Sequence, residues 1–226
     1  MLIVAVDTSG KQGSIALCRG DHHSFTVLQL TSLEGGTYSA QLMPRIAEAL
    51  EQNALDRTQV DGFVVVSGPG SFTGLRVGLA TIKGLCEVLH KPLAAVSMLE
   101  AIALTYGGAG QSVTVSLDAG RGEVYLGEYE VSADHATVIR EYIVKLDTFA
   151  AEASGLTGEL LTPDVKVAEA VQSANSHARL VAAIHADQIG EIGLRKLLAG
   201  ETADPASMDV NYIRRSDAEI FSLPKH

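Results

Sequence analysis

Two acids and a glycine-rich loop are the places where this sequence could do chemistry. Asp7 ends the apolar run Leu2-Ile-Val-Ala-Val, and Asp118 ends Val113-Thr-Val-Ser-Leu, each just before a glycine-containing turn and a second apolar run. An acid at such a hairpin can place Mg²⁺ or a nucleophile while the turn amides cradle phosphate. Thr8, Ser9, Gly10, Gly120 and Gly122 stand ready beside the two carboxyls. The same aspartates can equally do no more than cap their own turns.

The loop is Ser67-Gly-Pro-Gly-Ser-Phe-Thr-Gly-Leu-Arg-Val-Gly78, read as a strand end, a tight turn and a helix start. That is where many proteins hold phosphate. A Walker A loop needs lysine after its last glycine, and Leu75 follows Gly74 instead. The dinucleotide pattern misses by one residue, because Thr73 takes the place of the third glycine. No nucleophile elbow fits either, since Gly70 directly precedes Ser71. Metal chemistry has no better footing. No two histidines lie four apart, and Cys18 and Cys86 form no Cys-x-x-Cys pair. The loop is expected to launch a helix, with Ser71 or Thr73 as its cap.

That helix carries Gly74, Gly78, Thr81 and Gly84 as a stripe of small residues beside a band of Leu75, Leu79, Ile82 and Leu85. Each interior glycine costs on the order of 1 kcal/mol relative to alanine. The close approach of another backbone would offset that cost, either within the chain or from a partner.

The elements that must hold these residues follow from periodicity. Short strands are expected at Leu2–Val6, Gly13–Leu17 and Ser24–Leu30, then a helix over Tyr38–Gln52 with Leu42, Ile46, Ala49 and Leu50 on one side. Phe63–Val66 and Leu93–Val96 read as buried parallel strands, the second followed by a helix near Leu99–Leu104. Three strands, helix, strand, helix, strand is the order of a ribonuclease-H-like lobe. The repeated strand–Asp–turn–strand unit implies a second such lobe. The fold class expected is therefore α/β, with two lobes of the architecture shared by actin, Hsp70 and hexokinase. The glycine-rich 106–110 stretch puts the boundary between 1–108 and 109–226, with the last segment of the second part able to return to the first.

Composition narrows the function. A chain of 226 residues that is 46% hydrophobic and 19% charged can bury a real core. Its net charge of -10 speaks against a protein that grips nucleic acid alone, because phosphate contacts need a basic field. The first apolar run is too short for a signal peptide or a membrane span, so a cytoplasmic location is expected.

Asp7-Thr-Ser9, Gly68-Pro-Gly-Ser-Phe-Thr-Gly-Leu-Arg-Val-Gly78 with Lys83-Gly84, Val96-Ser97, Leu99-Glu100, Gly122-Glu-Val-Tyr125 and Tyr212-Ile-Arg214 together resemble the TsaB (YeaZ) family of bacteria. The resemblance covers residues 1–130 well and is thin over 131–205; Gly120 stands where the family carries an arginine. It implies a non-catalytic subunit in the making of N6-threonylcarbamoyladenosine at position 37 of tRNAs that read A-starting codons. It implies binding to the transferase TsaD, a paralogue of the same fold, together with the ATPase TsaE. Contact with tRNA would then be indirect, through the complex. Carried onto this chain, the partner face falls on Leu42, Ile46, Gly74, Leu75, Gly78, Leu79 and Ile82. The same face would pair two copies when TsaD is absent. Asp7, Thr8, Ser9 and Asp118 become a vestigial nucleotide site. No cofactor of its own is implied, although a nucleotide at the partner interface fits the resemblance. The alternative is an ATP-dependent phosphotransferase of the actin–hexokinase architecture, with Asp7 and Asp118 as its acids.

Overall fold

The computed structural model describes residues 1–156, 158–208 and 213. Of the motif Tyr212-Ile-Arg214, Tyr212 and Arg214 lie outside the described residues.

The chain opens with an antiparallel meander, β1 (Leu2–Asp7), β2 (Gln12–Gly20) and β3 (Phe25–Glu34). Helix α1 (Tyr38–Gln52) leads to β4 (Gly62–Gly68), and α2 (Phe72–Leu89) leads to β5 (Leu93–Ser97). β4 joins β1 in parallel and β5 joins β4, giving the order β3-β2-β1-β4-β5. β1 is buried along its whole length. That suits a continuous apolar strand in the middle of a sheet covered on both faces. Pro44 lies inside α1, past its first turn.

After α3 (Met98–Tyr106), the second half repeats the plan. β6 (Gln111–Gly120), β7 (Glu123–Val131) and β8 (Ala136–Lys145) form a meander. The short helix α4 (Leu146–Glu152), β9 (Glu159–Thr162), α5 (Val165–Ser173) and β10 (Arg179–Leu180) follow. The sheet order β10-β9-β6-β7-β8 is the first lobe's order read from the other edge. A bulge interrupts β2–β3 at Leu17/Cys18 and β7–β8 at Glu128/Tyr129. The expected fold class, two ribonuclease-H-like lobes, is the observed one.

Helix α6 (Ala186–Leu198) then packs on the first sheet. The described chain divides into two compact units, one from Met1–Ala101 and 184–208, the other from Ile102–Ala183. Within the first unit the two faces of the sheet take different helices. A Cβ on Gly190 would touch Ala5 and the Cys18 sulfur, and one on Gly193 would overlap Val64. α6 therefore sits on the Ala5–Cys18–Val64 face. Strand alternation sends the neighbours of those residues the other way, toward α1 and α2. The second unit has its own apolar cluster, Val124, Leu126, Leu146, Phe149, Leu160, Val167 and Val171.

Both cysteines are buried, and burial pushes their thiols up, Cys18 to about 12 and Cys86 to about 11. The thiolate is the reactive form. The native chain is therefore expected to react with a disulfide reagent at pH 8 far more slowly than the same chain in denaturant. Equal labelling rates with and without denaturant would contradict the buried placement.

Candidate functional site

The turn after β1 and the loop before α2 form one interlocked unit. Asp7 is buried, and its Oδ1 accepts from the Ser9 amide at 2.8 Å and the Ser9 hydroxyl at 2.6 Å. Thr8, also buried, donates its hydroxyl to the Gly74 carbonyl at 2.8 Å. The Ser71 amide donates to the Ser9 carbonyl at 2.6 Å, and Ser71 caps α2 by accepting from the Gly74 amide at 3.4 Å. The Tyr38 hydroxyl closes the far side on the Gly10 carbonyl at 2.9 Å. The loop that could have offered its amides to a phosphate offers one to Ser9 instead.

The glycines are explained by the same turn. A Cβ on Gly74 would overlap the Thr8 carbonyl oxygen, and one on Gly78 would overlap the Thr8 hydroxyl. A Cβ on Gly70 would collide with the Ser9 carbonyl. So Gly74 meets a backbone and Gly78 a side chain, and both belong to their own chain. Leu42, Ile46, Leu75, Leu79 and Ile82 are buried with them in the first unit's core. All seven residues expected on a partner face are therefore turned inward within the first unit. The band that repeats every three to four residues is the side turned to the sheet, as for any amphipathic helix of a globular protein.

What α1 and α2 leave outward is a different set. Met43 is 48% exposed on α1 and Val88 is 76% exposed on α2. Ala40 and Ala47 on α1, with Ala80 and Gly84 on α2, are exposed as well. Of the stripe's three glycines, Gly84 alone has nothing within 4 Å of an added Cβ among the described residues. At 3.6 residues per turn Gly84 lies on the opposite side of α2 from Leu75 and Ile82, so the helical spacing itself turns it away from the buried band. Ser14, Tyr38 and His185 complete the surroundings of Asp7, and the last two come from elements that only tertiary folding brings to β1, so no local signal announces them.

Electrostatics separate the two aspartates. Burial pushes the Asp7 carboxyl above the usual carboxylate range, against the opposing pull of the Ser9 bonds and of His185. Asp118 is exposed. Its Oδ1 accepts from the Gly120 amide at 3.0 Å and lies 3.6 Å from the Lys166 ammonium, while its own amide donates to Asp164 at 2.7 Å. Gly120 (φ 72°), Arg121 (φ 55°) and Gly122 (φ 77°) turn this hairpin through left-handed backbone, which glycine adopts without strain. One aspartate is a buried turn cap and the other a solvated, ion-paired one. Among the described residues, no cluster of three or more His, Cys, Asp or Glu has the geometry to hold a metal ion.

The raised Asp7 carboxyl has a measurable consequence. A group whose folded pKa is raised supports folding below its unfolded pKa, and that support is lost as pH rises through the folded value. Asp7→Asn keeps the acceptor for both Ser9 bonds and removes the desolvated charge. It is expected to raise the Tm at pH 7 by roughly 2–4 °C, the shift that about 1 kcal/mol gives a chain of this size. Near pH 4 the gain should vanish. A lower Tm at pH 7 would mean that Asp7 is held by more than its turn.

The family model described as TsaD, tRNA N6-adenosine threonylcarbamoyltransferase, matches residues 35–218. The tRNA threonylcarbamoyladenosine biosynthesis protein TsaB of Bacillus subtilis is 33% identical over 130 residues, covering 58% of this chain and 56% of that protein. The protein of the same name from Escherichia coli is 31% identical over 133 residues, covering 58% and 55%. The aligned stretch thus spans little more than half the length of these curated relatives. The solved structure of YeaZ from Pseudomonas aeruginosa superposes with a TM-score of 0.72 at 23% identity, over 94% of this chain and 100% of that one, so the two share a fold. No described helix is long and apolar enough to cross a membrane.

Proposed function

The chain belongs to the family described as TsaD, tRNA N6-adenosine threonylcarbamoyltransferase, with TsaB proteins among its relatives, and on that premise we propose that it is a non-catalytic subunit for threonylcarbamoyladenosine formation in tRNA. In this reading it binds the TsaD transferase, and a TsaE-type ATPase joins the complex. The observation that carries the reading is the outward side of α1 and α2. Gly84 sits inside a helix of 18 residues, at a cost on the order of 1 kcal/mol, and among the described residues nothing fills the space a side chain would occupy. On the exposed sides of the two helices, Met43 and Ala47 of α1 and Ala80 and Val88 of α2 leave apolar atoms in water. A paralogous helix pair laid against this side would use the glycine for close approach and cover the apolar atoms.

The interlocked turn supports a non-catalytic role. The Ser9 amide is spent on Asp7, the Ser71 amide on the Ser9 carbonyl, and the Thr8 hydroxyl on Gly74. The acidic balance supports indirect contact with tRNA, since the transferase would supply the basic surface.

Reconstitution tests the reading. Purified transferase, ATPase and threonylcarbamoyl-adenylate are incubated with unmodified tRNA, with and without this chain. Modification is expected only when the chain is present together with the transferase. ATP turnover or tRNA modification by the chain alone would overturn the proposal in favour of a phosphotransferase or a transferase.

A further inference from the structure

The end of β1 is gripped from both sides at once. On one side, Ser14, the register partner of Asp7, accepts a hydrogen bond from the Ala186 amide at 2.8 Å, which pins the first residue of α6 to β2. His185 precedes it as the N-cap, its amide bonded to Gln188 Oε1 at 2.8 Å, and its charge bears on Asp7. Asp187 follows, with a buried Oδ1 that has no hydrogen-bond partner among the described residues, and its charge bears on Cys18. From α1, the Tyr38 phenol also senses Asp7. On the other side, Thr8 and Ser9 hold the start of α2 through Gly74 and Ser71. The β1–β2 hairpin thus carries the restraints of two helices on opposite faces of one sheet, α6 through Ser14 and α2 through Thr8 and Ser9.

We propose that the turn Asp7-Thr8-Ser9 couples the docking of α6 to the order of the first turns of α2, and so to the partner face that we assign to that helix. The coupling needs no long path. When the first turn of α6 lifts from Ser14, water reaches the Asp7 carboxyl, and the Ser9 bonds that shape the turn must compete with hydration. Thr8 and Ser9 are covalently adjacent, so their bonds to Gly74 and Ser71 loosen with the turn. An opening at one helix then lowers the cost of an opening at the other, and the effect is reciprocal. Residues 184–198 act as a strap that keeps the start of α2 in place, although they touch the opposite face of the sheet.

Hydrogen exchange read by mass spectrometry on the full chain tests this at one fixed pH. Ser14→Ala leaves the Ala186 amide without its acceptor, and exchange over 186–192 should rise at least about tenfold, as expected when one buried bond is lost. Coupling requires that exchange over 72–78 rise with it, while α5 in the second unit stays unchanged. Faster exchange in α6 with 72–78 unaltered would overturn the proposal. If Ser14→Ala does not melt cooperatively, Gln188→Ala weakens the same strap from its exposed end and is judged by the same two peptides. Titration of the variant with the transferase separates this inference from the function it rests on. Coupled exchange together with weakened binding supports both. Coupled exchange with full affinity would overturn the extension of the coupling to the partner face and leave the coupling of the two helices standing.

Discussion

Gly78→Arg should abolish folding of the first unit. The position faces inward, and even the first carbon of a side chain would overlap the Thr8 hydroxyl, which is itself committed to the Gly74 carbonyl. Overpacking of this kind costs about 1–3 kcal/mol. The guanidinium adds more, because a charge left unpaired in a core costs several kcal/mol. Their sum takes up much of the roughly 5–15 kcal/mol that holds a typical domain together. The expected result is an insoluble protein, or one without a cooperative melt. Gly78→Ala gives a graded version. It gains helix propensity on the order of 1 kcal/mol but still meets the Thr8 side chain, so a net loss on the order of 1 kcal/mol is expected. A normally melting Gly78→Arg would mean that the α2 start does not sit against Thr8, and the whole account of the interlocked turn would fall with it.

That outcome reverses what the glycine stripe suggests when it is read alone, and the reason is physical. Spacing tells which residues share a side of a helix, and the pattern of Leu75, Leu79 and Ile82 is plain in the sequence. It does not tell what lies opposite. Gly74 and Gly78 border that band because the β1–β2 turn is only one side chain away, a contact between residues 66 positions apart. Local patterns do better where the partner is local. The Asp7 and Asp118 units are legible as strand, turn and strand because each hairpin closes within a few residues. The sheet order then follows from short connections. What separates the two aspartates comes from far away. Asp7 lies near α6, whose first residue is bonded to Ser14 across 172 positions, and nothing near Asp7 in the chain announces that helix. The Gly-Pro-Gly-Ser loop fails the phosphate-binding patterns by spacing and reads as a helix start. Only the fold shows that Thr8 and Ser9 already occupy its reach.

Gly84→Arg should give the opposite result from Gly78→Arg, two turns earlier on the same helix. Among the described residues nothing lies within 4 Å of the new Cβ, the position is exposed, and the long side chain can reach water along the helix. Replacing an interior glycine with a good helix former should also raise the stability of the free chain slightly, by a few tenths of a kcal/mol up to about 1 kcal/mol. Thermal melting should therefore show a Tm equal to or above that of the parent. Binding to the transferase is where the cost should appear. A side chain of that size would hold the two helix pairs apart, and a charge trapped without a partner in a close-packed contact costs several kcal/mol. A loss of about 3 kcal/mol corresponds to more than a hundredfold in Kd. Val88→Asp, on the same exposed side, should weaken binding in the same direction while leaving the melt unchanged. Titration calorimetry with the purified transferase reads both variants. If Gly84→Arg binds at full strength, the partner does not approach α2 here, and the glycine would need a reason that neither the core nor this contact provides. If it fails to melt cooperatively, the outward placement of Gly84 is itself wrong. Only a stable variant that cannot bind is compatible with a helix whose one side is built for its own sheet and whose other side is left for another chain.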